Sequence, residues 1–576
     1  MSRSKFLLFV LIIFVALFSD NPYNSFGQKN KYKDDIEALR LFETVYKQIK
    51  FRYYRDIDPY HVIYTAINAI IKNELDPHSY FYKDKKAFSN LKIQTEGEYG
   101  GLGMRVSMQD GWLTVVSPMF KSPALKAGIM SGDKIIKING KSTKGYSLEE
   151  LVEKLRGKVG TKVTITINRD GEIFDITLVR DKIIVPSIPY YGVYKGVGYI
   201  HLVDFSKKTE GDLIKAINDL KKKNIKGIVL DLRNNPGGLL DQAIKVVAAF
   251  IGPDKLVVTT KSRYEQRYNE WKTNSEKIYD GKLVVLVNRG SASASEIVSG
   301  TIQDYDRGVI IGTNTFGKGS VQNIFPLDME QNRILKLTTS HYYIPSGRCI
   351  HKITSYKKYY YDDDKKLDKD SLKALINTEN ERVSFINFED SNFIEILKNK
   401  KYYTNHGREV HAGNGIEPDI IVKDALLSNF SAYFRRYNAY FKFAVEYRKK
   451  HPNGKIDDEH KVVEEFKKFC NKHDYKYKSQ SSKLITQLEK SLKDEKYSSD
   501  MFEMVKNLET KLQNENDKLF YTYKDEIIFL IKQQLLIQIK GEDAVYPLQF
   551  SEDPVLQKAV EIIKNDKEYN KILSAN

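Results

Sequence analysis

Apolar positions change their period several times along the chain, and each change marks a boundary. Residues 30 to 90 set apolar side chains at helical spacing among charges, as in Ile36, Leu39, Leu41, Phe42 and Val45. They also carry the turn Leu75-Asp76-Pro77-His78-Ser79, where His78 reads as a turn or packing residue. This predicts a small helical domain over residues 28–95. From 96 to 182 the period falls to two. Trp112 to Val116, Lys134 to Ile138 before the Asn139-Gly140 turn, and Val163 to Ile167 read as strands, and Asp170-Gly171 turns into another from Glu172 to Val179. A helix from Leu148 to Leu155 opens with Ser147 and Glu150, the spacing of a capping box. Pattern alone makes this a small α+β module.

Strands and helices alternate from Val197 onward: a strand to Leu202, a helix from Gly211 to Lys222, a strand from Gly227 to Leu230, and a helix from Leu239 to Phe250. The run Leu283 to Val287 is a buried strand, and a helix from Ala294 through Ile302 follows it. Val309-Ile310-Ile311 is a further apolar run, and Ile334 to Tyr343 is a strand that carries His341 as a wall residue. Residues 352–403, rich in Lys, Asp and Tyr, read as a surface insertion. The turn His411-Ala412-Gly413-Asn414-Gly415 then returns the chain to this core, which spans 183–425. Beyond 426 the stripes Phe502-Val505-Leu508 and Ile527-Leu530-Ile531-Leu535 are helical, and Lys455 to Lys540 holds neither Gly nor Pro. This predicts a helical domain to residue 576.

Composition adds less. A length of 576 residues suits about three to five domains, and 41% hydrophobic residues suffice for their cores. The balance of 92 Lys+Arg against 75 Asp+Glu, a net +17, would suit an anionic surface. The two signs are interleaved, however, and there is neither zinc-ligand spacing nor an RNA-binding aromatic motif, which argues against nucleic acid as a partner. Residues 1–27 have the layout of a secretory signal: Arg3 and Lys5, an apolar run from Phe6 to Phe18, then a polar stretch through Ser25 and Gly27. The run is short of the about 20 residues a membrane span needs, so export with cleavage is expected ahead of anchoring by an uncleaved leader. Cys349 and Cys470 lie far apart, and spacing does not say whether they pair.

Candidate chemistry gathers between Gly290 and Gln322. Ser293, in Gly290-Ser291-Ala292-Ser293-Ala294-Ser295-Glu296-Ile297, falls on the strand-to-helix turn beside the first free N–H groups of the helix. The Ala294 N–H is placed to stabilise an oxyanion formed when that hydroxyl attacks a carbonyl. With no histidine in the stretch, Lys318 of Thr315-Phe316-Gly317-Lys318-Gly319-Ser320 is the candidate base, because flanking glycines allow close packing and burial penalises an ammonium. Gln322 can orient it through its amide. Ser291, Ser295 and Ser299 read as caps or packing residues, and a solvated surface role for Lys318 stays open. Asn234-Asn235-Pro236-Gly237-Gly238 joins a strand to a helix, where paired glycines leave N–H groups for an anion or merely make a turn.

These segments resemble the catalytic signature of the C-terminal processing peptidases, or tail-specific proteases, which are Ser-Lys enzymes with a PDZ domain. The resemblance extends to Asp231-Leu232-Arg233-Asn234 upstream and Gly415-Ile416-Glu417-Pro418-Asp419 downstream, over roughly residues 30 to 425. It implies Ser293 as nucleophile, Lys318 as base, Gln322 as its orienting group, and Gly237 or Gly238 as second oxyanion donor beside Ala294. Gly100-Gly101-Leu102-Gly103-Met104 and Gly132 to Gly140 resemble a PDZ domain over 96–182, which implies capture of a protein C-terminal tail by Leu102, Gly103 and Met104. The fold expected is thus α+β and multidomain: helical N-terminal region, PDZ domain, mixed α/β Ser-Lys peptidase core and helical C-terminal domain. The function expected is an exported serine endopeptidase, periplasmic or in the cell envelope, that needs no metal or other cofactor. Membrane proximity and a homo-oligomer are open, and an inactive PDZ scaffold that binds C-termini is the alternative.

Overall fold

The computed structural model describes residues 26–83, 93, 95–262, 268–328, 333–352 and 401–574. The expected leader, but for its last two residues, and all but the ends of the expected insertion at 352–403 lie outside these. The chain divides into two units, 1–83 and 84–576. The first holds the helices Phe26–Arg52 and Pro59–Glu74 and the strand Tyr80–Tyr82. Pro59 presets the first turn of its helix, and the Asp58 carboxylate accepts from Tyr60 N at 2.9 Å. The Asp76 turn closes as expected of an Asx turn, its carboxylate accepting from His78 N and Ser79 Oγ, both at 2.8 Å.

In the second unit, the small α+β module is an antiparallel sheet in the order Met104–Gln109, Trp112–Pro118, Lys134–Ile138, Lys162–Arg169, Glu172–Val179. Its inward residues Leu113, Val115, Ile135, Ile165 and Ile167 pack on Leu151 and Leu155 of the helix Leu148–Leu155. That helix has both bonds of its capping box: Ser147 N to the Glu150 carboxylate at 2.8 Å and Glu150 N to Ser147 Oγ at 3.3 Å. Among the described residues Met104–Gln109 stands at the end of the sheet, with no strand paired on its outer edge.

The core is a sheet ordered Tyr190–Tyr194, Val197–His201, Gly227–Asp231, Lys282–Val287, Val309–Gly312, Ile420–Ile421, parallel after its first pair. Parallel strands must be covered on both faces, and alternation along these runs divides them cleanly. Ile228, Leu230, Leu283, Val285 and Val287 face the helices Thr209–Lys221, Leu240–Ile251 and Ala294–Asp304. Val229, Val284, Leu286, Val309 and Ile311 face Val555, Leu556, Ala559, Val560 and Ile563 of the helix Pro554–Lys564. A second, antiparallel layer joins Ser320–Pro326, Ile334–Tyr343, Leu256–Ser262 and Tyr268–Lys272.

Beyond residue 426 the expected helices form, but they serve two cores. Phe430, Phe434, Phe443, Phe466, Phe520, Ile527 and Ile531 make an aromatic-rich core of their own, with the hairpin Gln480–Asp494 and Ser499–Thr522 extending from it. Residues after Gly541 instead complete the second face of the parallel core sheet. The helical C-terminal domain therefore packs partly on itself and partly against the core sheet. The sequence hides this division because both groups have the same helical period. Among the described residues no helix is long and apolar enough to cross a membrane, and Cys349 and Cys470 are unpaired.

Candidate active site

Strand Lys282–Val287 delivers the chain to a tight turn at whose end Ser293 takes φ 53° and ψ −113°, a backbone conformation that L-residues rarely adopt. The serines around it are tied down: Ser291 Oγ donates to Leu232 O at 2.8 Å, Ser295 Oγ to Asn235 O at 2.9 Å, and Ser299 Oγ to Ser295 O at 2.8 Å. These are the structural roles expected of them. Ser293 is half-buried at the head of the helix Ala294–Asp304.

Glu296, which sequence reasoning passed over, lies fully buried beneath this turn. Its Oε2 accepts from Ser293 N at 2.9 Å and from Lys318 N at 2.8 Å; its Oε1 accepts from Gly317 N at 2.7 Å and from Thr315 Oγ1 at 2.5 Å. One carboxylate oxygen thus holds the backbones of Ser293 and Lys318 within two hydrogen-bond lengths of each other. Burial raises the Glu296 carboxyl above the usual carboxylate range, against the pull of its four donors. A signal was present: Ser293-x-x-Glu296 has the same spacing as Ser147-x-x-Glu150.

The loop around Lys318 is held at every backbone group. Besides the two bonds to Glu296, Gly317 O accepts from Lys352 N at 2.7 Å, Gly319 O from Tyr342 N at 2.9 Å, and Lys318 O from the Tyr342 phenol at 2.6 Å. Gly319 N donates to His351 Nδ1 at 3.2 Å. The buried Tyr342 hydroxyl also lies 3.2 Å from Ser293 O, a second tie between the two segments. Both glycines are required by this packing: a Cβ on Gly317 would lie 2.6 Å from Lys352 Cβ, and one on Gly319 2.7 Å from His351 N. Lys318 itself is half-buried, so desolvation of its ammonium is partial rather than full. Gln322 sits on the strand Ser320–Pro326, where its Nε2 donates to Ser320 Oγ at 2.9 Å and to Thr338 Oγ1 at 3.1 Å. His341 is on the facing strand opposite Ser320, its ring 5.0 Å from that of His351.

The loop 234–238 closes on the same turn. A Cβ on Gly237 would lie 2.8 Å from Ser293 Cβ and 2.9 Å from Ala294 N, so only glycine permits this approach. Gly237 N, however, donates to Asn235 Oδ1 at 2.9 Å and is buried, whereas Gly238 is exposed. That geometry separates the two glycines that the sequence left equivalent: the Gly237 donor is already engaged. Asn235 ties the loop in turn to Ala292 N at 3.0 Å and, through its Nδ2, to Leu202 O at 2.8 Å. At the base of the loop Arg233 reaches Asp231 Oδ2 at 2.6 Å, Asp424 Oδ1 at 3.1 Å and both oxygens of Asp553, at 2.5 and 3.1 Å. Asp553 also caps the helix Pro554–Lys564. Burial pushes the Asp231 carboxyl up, but the Arg233 guanidinium outweighs it and holds it below the usual range.

In the small module, Leu102 is buried and Gly103 has φ 67°. Their carbonyls accept from Ala124 N and Met119 N, both at 2.9 Å, and Met104 opens the edge strand. Among the described residues no group of three or more His, Cys, Asp and Glu side chains could hold a metal ion.

Residues 196–356 match the model of peptidase family S41, residues 100–179 that of the PDZ domain, and residues 430–563 that of the C-terminal helical domain of probable PDZ-proteases. The chain is 43% identical over 334 residues to a carboxy-terminal-processing protease of Bartonella bacilliformis, covering 57% of this chain and 75% of the relative. To a probable CtpA-like serine protease of Staphylococcus saprophyticus it is 39% identical over 319 residues, covering 55% of this chain and 64% of the relative. Among solved structures it matches the photosystem II D1 C-terminal processing protease with 26% identity and a TM-score of 0.34, over 54% of this chain and 83% of that one.

Proposed function

Because the chain belongs to the carboxy-terminal-processing proteases of peptidase family S41, we propose that it cleaves exported proteins as a Ser-Lys endopeptidase after capturing their C-terminal tails on its PDZ domain. The observation that carries the Ser-Lys reading is the single Glu296 Oε2 that accepts from both Ser293 N and Lys318 N. Such sharing holds together the backbones of the proposed nucleophile and base before substrate arrives, which supports proximity catalysis by their side chains.

Lys318 Nζ takes the hydroxyl proton as Ser293 Oγ attacks the scissile carbonyl, and the substrate chain covers the exposed half of the lysine. The carbonyl oxygen becomes an oxyanion, which receives the N–H groups of Ala294, at the first turn of its helix, and of Gly238. Gly237 serves as the close-approach residue rather than as a donor. Lys318 then protonates the leaving amine, and the acyl-enzyme is hydrolysed by a water that Lys318 deprotonates. Gln322 is held by Ser320 and Thr338 with its amide beside the base loop, and it orients Lys318. Leu102, Gly103 and Met104 receive the tail carboxylate, and the tail adds as a strand to the open edge of Met104–Gln109. The leader over 1–27 directs the enzyme out of the cytoplasm.

The test is cleavage of an unfolded reporter carrying an apolar tail, with its C-terminus free or amidated, by wild type, Ser293→Ala and Lys318→Ala. Loss of cleavage in both variants and weaker cleavage of the amidated reporter are expected. Equal cleavage by all three proteins removes the Ser-Lys reading, and indifference to amidation removes tail capture.

A further inference from the structure

We propose that His351 is a positioning residue for the base: its neutral imidazole, accepting from Gly319 N, fixes the exit of the Gly317-Lys318-Gly319 loop and thereby the direction of Lys318. The inference rests on the reading of Lys318 as the base. It follows from a complete account of the backbone groups of these three residues. Five of the six are held by three partners: the Glu296 carboxylate, Tyr342 and Lys352 N. The sixth, Gly319 N, donates to the imidazole of His351, 3.2 Å from Nδ1.

A backbone N–H can only donate, so Nδ1 must be without a proton and the imidazole proton lies on Nε2. His351 is then an acceptor in this contact, a role that aliphatic side chains cannot fill and that the Oδ1 of asparagine can, because it projects to a similar distance from Cα. The ring is kept in place from both sides. Its main chain packs against Gly319, where a Cβ would lie 2.9 Å from His351 Cβ, and its ring meets that of His341 at 5.0 Å. His341 is in register with Ser320, the residue after the loop, on the strand that carries Gln322. The glycines on either side of Lys318 admit many backbone conformations. Without the bond at Gly319 the loop keeps its anchored start but loses the constraint on its end, and Lys318 samples directions that do not reach Ser293.

The experiment compares wild type, His351→Asn, His351→Leu and Lys318→Ala as full-length proteins. It measures kcat and KM on the free-tailed reporter, the second-order rate of Ser293 labelling by a small sulfonyl fluoride, and the melting temperature. The expected result is a fall of about tenfold in kcat and in labelling rate for His351→Leu with KM unchanged, and recovery of most of that loss in His351→Asn. The inference is overturned if His351→Leu keeps kcat within about twofold of wild type. It is equally overturned if His351→Asn is as slow as His351→Leu, or if the loss tracks a fall in melting temperature. Lys318→Ala separates this inference from the one beneath it: full activity in that variant removes the base itself, whereas an inactive Lys318→Ala beside a fully active His351→Leu removes only the role of His351.

Discussion

Replacing Glu296 isolates the contribution of a side chain that touches no substrate yet joins both halves of the proposed dyad. In Glu296→Ala, the N–H groups of Ser293, Gly317 and Lys318 lose their common acceptor. A buried donor left without a partner costs about 1–3 kcal/mol, and water entering the vacated space keeps each near the low end, so a loss of about 3 kcal/mol in stability is expected. Glu296→Gln is milder for a stereochemical reason. Its amide oxygen can keep Ser293 N and Lys318 N, and its amide nitrogen then faces Thr315 Oγ1, which can turn to accept, and Gly317 N, which cannot. One unpaired donor remains, about 1–3 kcal/mol, with the bridge between Ser293 and Lys318 intact. Activity should follow the bridge: a fall of about a hundredfold in kcat for the alanine variant, where the two backbones drift apart, and less than about tenfold for the glutamine variant. Steady-state cleavage of a tailed reporter, beside thermal melts of each protein, reads both quantities. Equal kcat in the two variants, or a wild-type kcat in Glu296→Ala, refutes the bridging argument.

Three further outcomes follow from the geometry. Gly237→Ala forces a Cβ to within 2.9 Å of Ser293 and Ala294 at φ 96°, so it should lower kcat by at least about a hundredfold, measured on the same reporter. Gly103→Ala places a Cβ 2.4 Å from Ser122 Cβ at φ 67° and should raise KM for a free-tailed substrate about tenfold while kcat stays close to wild type. The Asp231 carboxyl is held below its unfolded value by Arg233, so its stabilisation is present above about pH 4 and is lost as pH falls through the lower, folded value. Melts of wild type and Asp231→Asn between about pH 3 and pH 7 should therefore converge at the acid end.

Elements with a strong period were legible in the sequence: the strands Lys134–Ile138, Glu172–Val179 and Ile334–Tyr343 and the helix Leu148–Leu155 have the bounds that their patterns predict. Ser320–Pro326 was not legible, because it follows two glycines and its apolar residues Val321, Ile324 and Phe325 do not alternate. In the candidate site, the turn positions of Ser293, Lys318 and the paired glycines were legible from local context, whereas their roles came from the family resemblance. What the sequence could not supply was pairing across distance. Asp553 reaches Arg233 from 320 residues away, and Tyr342 and His351 reach the Lys318 loop from a strand and a turn that look like ordinary walls. Such contacts depend on the sheet order, which no local pattern encodes. Glu296 is the intermediate case: its spacing from Ser293 signals a cap, but its second duty toward Lys318 appears only when the loop folds over it.

The central claim, that Ser293 is the nucleophile and Lys318 its base, is tested most directly by trapping the enzyme with a serine-directed acylating probe and mapping the adduct by mass spectrometry. The account predicts a single adduct on Ser293 in wild type, and in Lys318→Ala a folded protein whose labelling is slower by at least about a hundredfold. An adduct on a different residue, or labelling of Lys318→Ala at the wild-type rate, would contradict it.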